Sequence, residues 1–144
     1  RICNPSCRLG FFPASKANDP LEHKMHSEYW ELTREVCDRI NLAKSEGRRV
    51  ISVGTTAVRL LENAAGISLS STLSPGSGWA DIFIKPGYQF RVVDSLITNF
   101  HLPKSTLLML TSALAGRDNI LKAYEEAVQN HYRFYSFGDA MFIV

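Results

Sequence analysis

From Val93 to Gly116 the chain reads VDSLITNFHLPKSTLLMLTSALAG. Asn99, His101 and Lys104 form a short polar turn between two apolar segments. A connection of this kind lies at the edge of a sheet, where rigid elements hold side chains that face a ligand. Downstream, Ser105 or Thr106 starts a helix that runs through Ala115 and stops at Gly116. That segment is apolar almost all round, so burial is expected.

Working outward, Val50 to Val53 is a short β-branched strand ending at Gly54, and Thr55 or Thr56 caps a helix through Ala65. Together they make half of a βαβ-type unit. Ser27 to Ser45 places Trp30, Thr33, Val36 or Cys37, and Ile40 at helical spacing, with Ser27 as cap and Gly47 as stop. Five serines and Pro75 mark Gly66 to Gly78 as a loop. Ala80 to Ile84 reads as a strand, Pro86-Gly87 as a turn and Tyr88 to Val93 as another strand. Asp118 caps a further helix with the stripe Ile120 or Leu121, Tyr124, Ala127 or Val128, and His131. Phe134 to Phe137, a Gly138-Asp139 turn and Met141 to Val144 follow. Short strands beside several helices indicate an α/β fold, a partial layered domain over 23–144 preceded by an irregular arm over 1–22.

The 144 residues, 45% hydrophobic, suffice for one packed core. Sixteen Lys and Arg against fourteen Asp and Glu leave a formal +2, so a nucleic-acid partner would need a local patch. Cys3, Cys7 and Cys37 cannot all pair internally and form no CxxC unit, which suits an intracellular chain with free thiols. No apolar run approaches the roughly 20 residues of a membrane span, and no signal-peptide core is present. A cytoplasmic location is expected.

Three polar groupings are candidates for chemistry, and none is a stand-alone catalytic signature. His23, His26 and Glu28 precede the first long helix; a metal site there would lack a fourth ligand, so none is expected, and a substrate contact competes with a structural role. Gly54, Thr55 and Thr56 offer backbone amides at a helix N-terminus to a carboxylate, phosphate or ribose oxygen, with simple capping as the alternative. Arg59, a turn further on, either adds charge or faces solvent. Asp94, Asn99, His101, Lys104, Ser105 and Thr106 form the third: Asp94 suits a diol, His101 either proton transfer near neutrality or a structural hydrogen bond beside the proline turn, and Lys104 either an anion or solvent. Neither GxGxxG nor GxxxxGK[ST] occurs, so a dinucleotide fold or an ATPase loop is unsupported.

The blocks HKMHSE at His23 to Glu28, SVGTTAVRLLE at Ser52 to Glu62, SGWADIFIKPGYQF at Ser77 to Phe90, VDSLITNFHLPKSTLLML at Val93 to Leu110 and YRFYSFGDAM at Tyr132 to Met141 occur in this order. Together they resemble the C-terminal part of the S-adenosylmethionine:tRNA ribosyltransferase-isomerase family of queuosine biosynthesis. The resemblance implies transfer and isomerisation of the ribosyl moiety of S-adenosylmethionine onto 7-aminomethyl-7-deazaguanine at the tRNA wobble position. Epoxyqueuosine-tRNA, adenine and methionine would be the products. It implies S-adenosylmethionine as co-substrate with no permanent cofactor, and His101, His26 and Glu28 as catalytic residues. Gly54, Thr55, Thr56, Asp94 and Asn99 would hold the donor, while Arg59, Lys104 and Arg133 would meet tRNA or another anion. Trp79, Tyr88 and Tyr135 are aromatics available for stacking or for the core. The N-terminal part of the family's α/β domain and its inserted β-rich domain are absent from this sequence, so self-association or a missing N-terminal segment is the expected protein partner. Two alternatives stand beside this reading: a truncated noncatalytic remnant or interaction module, and another S-adenosylmethionine-binding enzyme.

Overall fold

A computed structural model describes residues 6–7, 27–68 and 72–144; of the arm expected to be irregular only Ser6–Cys7 is described, and it is a strand, while His23 and His26 lie outside the described residues. Two three-stranded sheets share one hydrophobic core. In the first, β1 (Ser6–Cys7), β2 (Glu28–Leu32) and β4 (Gly76–Ala80) run antiparallel in the order β1-β2-β4. In the second, β3 (Ile51–Val53) pairs in parallel with β5 (Ser95–Asn99), and β6 (Ala140–Ile143) adds antiparallel to β5. Helix α2 (Thr55–Ile67) contacts both sheets. The other helices are α1 (Arg34–Ser45), α3 (Thr106–Ala115) and α4 (Arg117–Gln129).

The expected helix from Ser27 is shorter than its spacing suggested. Glu28, Trp30 and Leu32 are buried while Tyr29 and Glu31 are exposed, the alternation of a strand. Thr33, not Ser27, caps α1, its Oγ1 accepting the Val36 N–H. Trp30 lies opposite Gly78, where an added Cβ would stand 3.4 Å from the indole. Two glycines in GSGWA thus make room for a tryptophan from the neighbouring strand. This explains why β4 starts at Gly76, within the expected loop, and ends at Ala80 where the strand was expected to begin.

Tyr88 to Val93 forms no strand. Its amides are taken by a side chain: fully buried Glu62 on α2 accepts the N–H groups of Arg91, Val92 and Val93 at 2.9–3.0 Å. The Tyr88 hydroxyl donates to the same carboxylate at 3.1 Å, and burial pushes that phenol up to about 12. The Pro86-Gly87 turn is present, with Gly87 at φ 97 and the Tyr88 N–H on the Lys85 carbonyl.

Helix α3 has the expected limits, with Ser105 Oγ accepting the Leu108 N–H and Gly116 at its end, yet only Leu110 and Thr111 on it are buried. The other α3 residues are half-buried and none is exposed, with Leu108, Ala113, Leu114 and Ala115 packed against the core. Helix α4 starts from Gly116, placing Asp118 in its first turn, and His131 falls beyond its end at φ 58. Phe134 to Phe137 forms no strand, and Tyr135 to Gly138 is a turn closed by the Gly138 N–H on the Tyr135 carbonyl. Among the described residues no helix is long and apolar enough to cross a membrane, and Cys37 is a buried free thiol.

Candidate functional site

The parallel pair β3 and β5 ends at one edge. Val53 stands opposite Ile97, and the Gly54 N–H donates to the Ile97 carbonyl at 2.8 Å. Gly54 adopts φ 86 and ψ 147, a region nearly closed to residues with a Cβ, and this turn aims the start of α2 at the edge. Neither threonine caps the helix as expected: Gly54 is the N-cap and no side chain takes the first-turn amides. Those donors, with the positive end of the helix dipole, suit an oxygen-bearing anion. Thr55 is buried and Thr56 half-buried beside them.

The end of β5 reaches the same edge. Asn99 pairs in register with Ala140, and its Nδ2 donates to the carbonyls of Gly138 and Asp139 at 3.2 and 3.4 Å. This joins the polar turn to the loop 133–139. Within that loop the Arg133 guanidinium lies 3.0 Å from the Asp139 carboxylate, which also accepts the Arg133 backbone N–H. The side-chain hydrogen bond from Arg133, helped by its backbone N–H and its charge, holds the Asp139 carboxyl below the usual range. Gly138 is wedged so closely that a Cβ would fall 2.4 Å from the Arg133 carbonyl oxygen. The loop presents Tyr135 and Phe137 to solvent, Phe137 at 97% exposure.

His101 lies two residues beyond the end of β5. Its backbone N–H donates to the Tyr124 hydroxyl at 2.7 Å and its Nε2 lies 2.9 Å from Thr98 Oγ1. Phe100, Tyr124, Tyr132 and Phe134 form an aromatic cluster beneath it. Burial pushes the imidazole down to about 4, so it is neutral at pH 7. In the tautomer whose Nε2–H donates to Thr98, Nδ1 carries the lone pair that accepts a proton. Lys104 follows at φ 58 with an exposed side chain.

A stability effect follows with a defined sign. An unfolded imidazole takes up a proton below about pH 6.5, whereas the native one stays neutral to about 4. Between those values the unfolded state binds more protons, so this contribution is present above the unfolded pKa and lost as pH falls through the folded one. We expect urea unfolding at pH 7, 6, 5 and 4 to show His101→Gln losing less stability than the parent, by at most roughly 3 kcal/mol at pH 4. Parallel curves for both proteins would contradict this.

Other expected site residues lie elsewhere. Asp94 stands at the opposite end of β5, a strand length of about 17 Å from Asn99. Its carboxylate accepts from Lys44 Nζ at 2.9 Å and from the Val50 N–H at 2.8 Å, tying α1 to the start of β3. Its expected place in a shared donor pocket is thereby corrected. Arg59 is neither solvent-facing nor open to an anion: it is 3% exposed, with Nη1 2.8 Å from Glu28 Oε1 and further bonds to the carbonyls of Ala80 and Ile82. Glu28 is therefore a buried partner on β2 and not a first-turn helix residue. Burial raises its carboxyl pKa while Arg59 opposes the shift. Tyr88 belongs to the Glu62 hub, and exposed Trp79 packs edge-on against Tyr29. Thr98, Tyr124 and Phe137 were missed; the three-residue spacing of Thr98 and His101 was the one local signal for the first. Among the described residues, no three His, Cys, Asp or Glu side chains cluster to hold a metal.

The family model described as queuosine biosynthesis protein matches residues 6–143. An S-adenosylmethionine:tRNA ribosyltransferase-isomerase of Carboxydothermus hydrogenoformans is 57% identical over 136 residues, covering 94% of this chain and 39% of the relative. One of the same description from Desulfitobacterium hafniense is 59% identical with the same coverage. The crystal structure of an S-adenosylmethionine tRNA ribosyltransferase from Thermotoga maritima superposes with a TM-score of 0.73 at 44% identity, over 81% of this chain and 41% of that one. The chain thus spans about two fifths of the length of these relatives. Their names agree with the family resemblance and do not favour a different S-adenosylmethionine enzyme.

Proposed function

Because this chain belongs to the queuosine biosynthesis protein family, we propose that it supplies one wall of an S-adenosylmethionine:tRNA ribosyltransferase-isomerase active site. The observation that supports this reading is the convergence of Gly54–Thr56, Asn99 and His101 at the carboxyl ends of two parallel strands, where α/β sheets bind ligands. The open amides of α2 receive the donor's carboxylate or a ribose oxygen, beside Thr55, Thr56 and Asn99. His101, neutral and fixed by Thr98 and Tyr124, accepts a proton at the migrating ribosyl centre. The acceptor is the aminomethyl group of 7-aminomethyl-7-deazaguanine at the tRNA wobble position, and the products are epoxyqueuosine-tRNA, adenine and methionine.

A wobble base is already unpaired, so it enters such an edge by stacking without opening a duplex. Tyr135 and Phe137 on the clamped loop offer aromatic faces for it, and Lys104 and Arg133 offer charge for the adjoining phosphates. Arg133 does so while sharing its charge with Asp139. Glu28 acts through Arg59 as a brace between β2 and α2. We assign no permanent cofactor and place the reaction in the cytoplasm, where the tRNA is.

Calorimetric titration of S-adenosylmethionine into the chain, assembled with the rest of a relative's polypeptide, tests the donor site. Saturable one-to-one binding is expected. Absence of binding in the assembled protein would remove the functional assignment.

A further inference from the structure

Away from the donor edge, α1, the C-terminal part of α2 and the stretches 72–73 and 91–92 surround a cavity of about 320 Å³. That is the lower end of the roughly 300–1,000 Å³ typical of small-molecule sites. Ile40, Ala65, Leu73 and Val92 supply buried apolar walls, and Lys44 and Arg91 bring two cations to the lining. Ala65 stands ten residues along α2 from Thr55, about 15 Å at a helical rise of about 1.5 Å per residue. Lys44 pairs with Asp94, at the end of β5 remote from Asn99. None of the residues assigned above to the donor or to tRNA lines this cavity.

Its frame is fixed from both sides by side chains that grip backbone. Asn41 on α1 accepts the Leu73 N–H on Oδ1 at 2.8 Å and donates from Nδ2 to the Leu73 carbonyl at 2.9 Å. Across the cavity the Glu62 carboxylate holds the amides of Arg91 and Val92. Neither stretch can move in to fill the space without breaking these buried or half-buried bonds. The two cations differ in what they can offer. Lys44 Nζ lies 2.9 Å from the Asp94 carboxylate, which offsets its charge. Arg91 has no ion-pair partner among the described residues; its Nη1 donates to the Ala65 carbonyl at 3.1 Å, a neutral acceptor that leaves the charge and the remaining N–H groups of the guanidinium for an anion.

We propose that this cavity is a second ligand site, for a small aliphatic carboxylate bound by Arg91 with its chain against Ile40, Ala65, Leu73 and Val92. One uncompensated guanidinium matches a monoanion. Inorganic phosphate fits worse, since it would set charged oxygens against apolar walls and carry more charge than Arg91 offsets. The site is independent of the donor-site reading, because it shares no residue with the sheet's carboxyl edge.

Titration of hexanoate into the isotope-labelled full chain, followed by NMR, provides the test. Saturable shifts are expected at the Asn41 side-chain amide and at the backbone amides of Ala65, Leu73 and Arg91, with a Kd of about 1 mM or tighter. The amides of Gly54, Asn99 and His101 should stay in place. Arg91→Gln should weaken binding by about tenfold or more, the scale of one charged hydrogen-bonding group. This variant keeps the backbone N–H that Glu62 holds, so an otherwise unchanged spectrum is expected. Lys122→Gln, on the exposed side of α4, should bind as the parent does. Absence of saturable shifts around the cavity would overturn the proposal, as would undiminished affinity in Arg91→Gln. Hexanol binding as tightly as hexanoate would remove the role of the carboxylate, and inorganic phosphate producing the same shifts with equal affinity would remove that of the apolar walls; either result overturns the assignment. No step involves S-adenosylmethionine, so a failure here is distinguishable from failure of the active-site reading.

Discussion

In an assembled enzyme, His101→Gln is expected to lower turnover by about 100-fold or more, the usual scale for a positioned proton-transfer group. Glutamine keeps hydrogen-bonding capacity towards Thr98 but has no lone pair of comparable basicity. The backbone bond from residue 101 to Tyr124 is untouched by the change, so the turn should keep its path. Donor binding should stay within a few-fold of the parent. Turnover at saturating donor and tRNA, measured with the unfolding midpoint, separates the roles. Near-normal turnover in folded protein would eliminate His101 as the proton acceptor and leave it a structural residue of the edge.

Removing the Glu62 carboxylate should have the largest effect on stability. Its two oxygens accept from three backbone amides and the Tyr88 hydroxyl, inside a side chain with no exposure. In Glu62→Ala the amides of Val92 and Val93 remain buried without a partner, at roughly 1–3 kcal/mol each, and a cavity adds to the loss. We expect a total of about 3–6 kcal/mol, a large share of the roughly 5–15 kcal/mol that holds an ordinary domain together. Glu62→Gln should recover part of this, because its amide oxygen can keep the Val92 and Val93 N–H groups while its amide nitrogen would face the Arg91 N–H. Urea denaturation checks this directly, and a loss under about 1 kcal/mol for the alanine variant would show that water replaces the carboxylate.

The same contrast explains which elements were legible in the sequence. The polar turn at His101 and the limits of α3 were readable because their causes are local: Ser105 caps the helix and Gly116 ends it. The β3–Gly54–α2 unit was readable for the same reason. Elements decided by distant partners were not. Glu28–Leu32 resembled a helical stripe because Trp30 fits both periods, and its strand state depends on Gly76 and Gly78 making room across the sheet. Tyr88 to Val93 has strand-like composition, yet its amides bond to Glu62. At the site, Asp94 was joined to His101 because they share one run of sequence, whereas an extended strand carries them to opposite ends. Arg59 looked like a surface charge until Glu28 buried it. The aromatics of 132–137 were visible as residues, but their division between the Phe100 cluster and an exposed Phe137 follows from the Asn99 and Asp139 bonds that close the loop.

The decisive measurement is adenine release. The chain is assembled with the missing part of a relative and given S-adenosylmethionine and tRNA bearing the aminomethyl base. Adenine should then appear in equal amount with modified tRNA, and omission of either polypeptide should abolish both. Methyl transfer to the tRNA without adenine, or adenine formation unaffected by leaving this chain out, would contradict the assignment of its sheet edge as a wall of the ribosyltransferase-isomerase site.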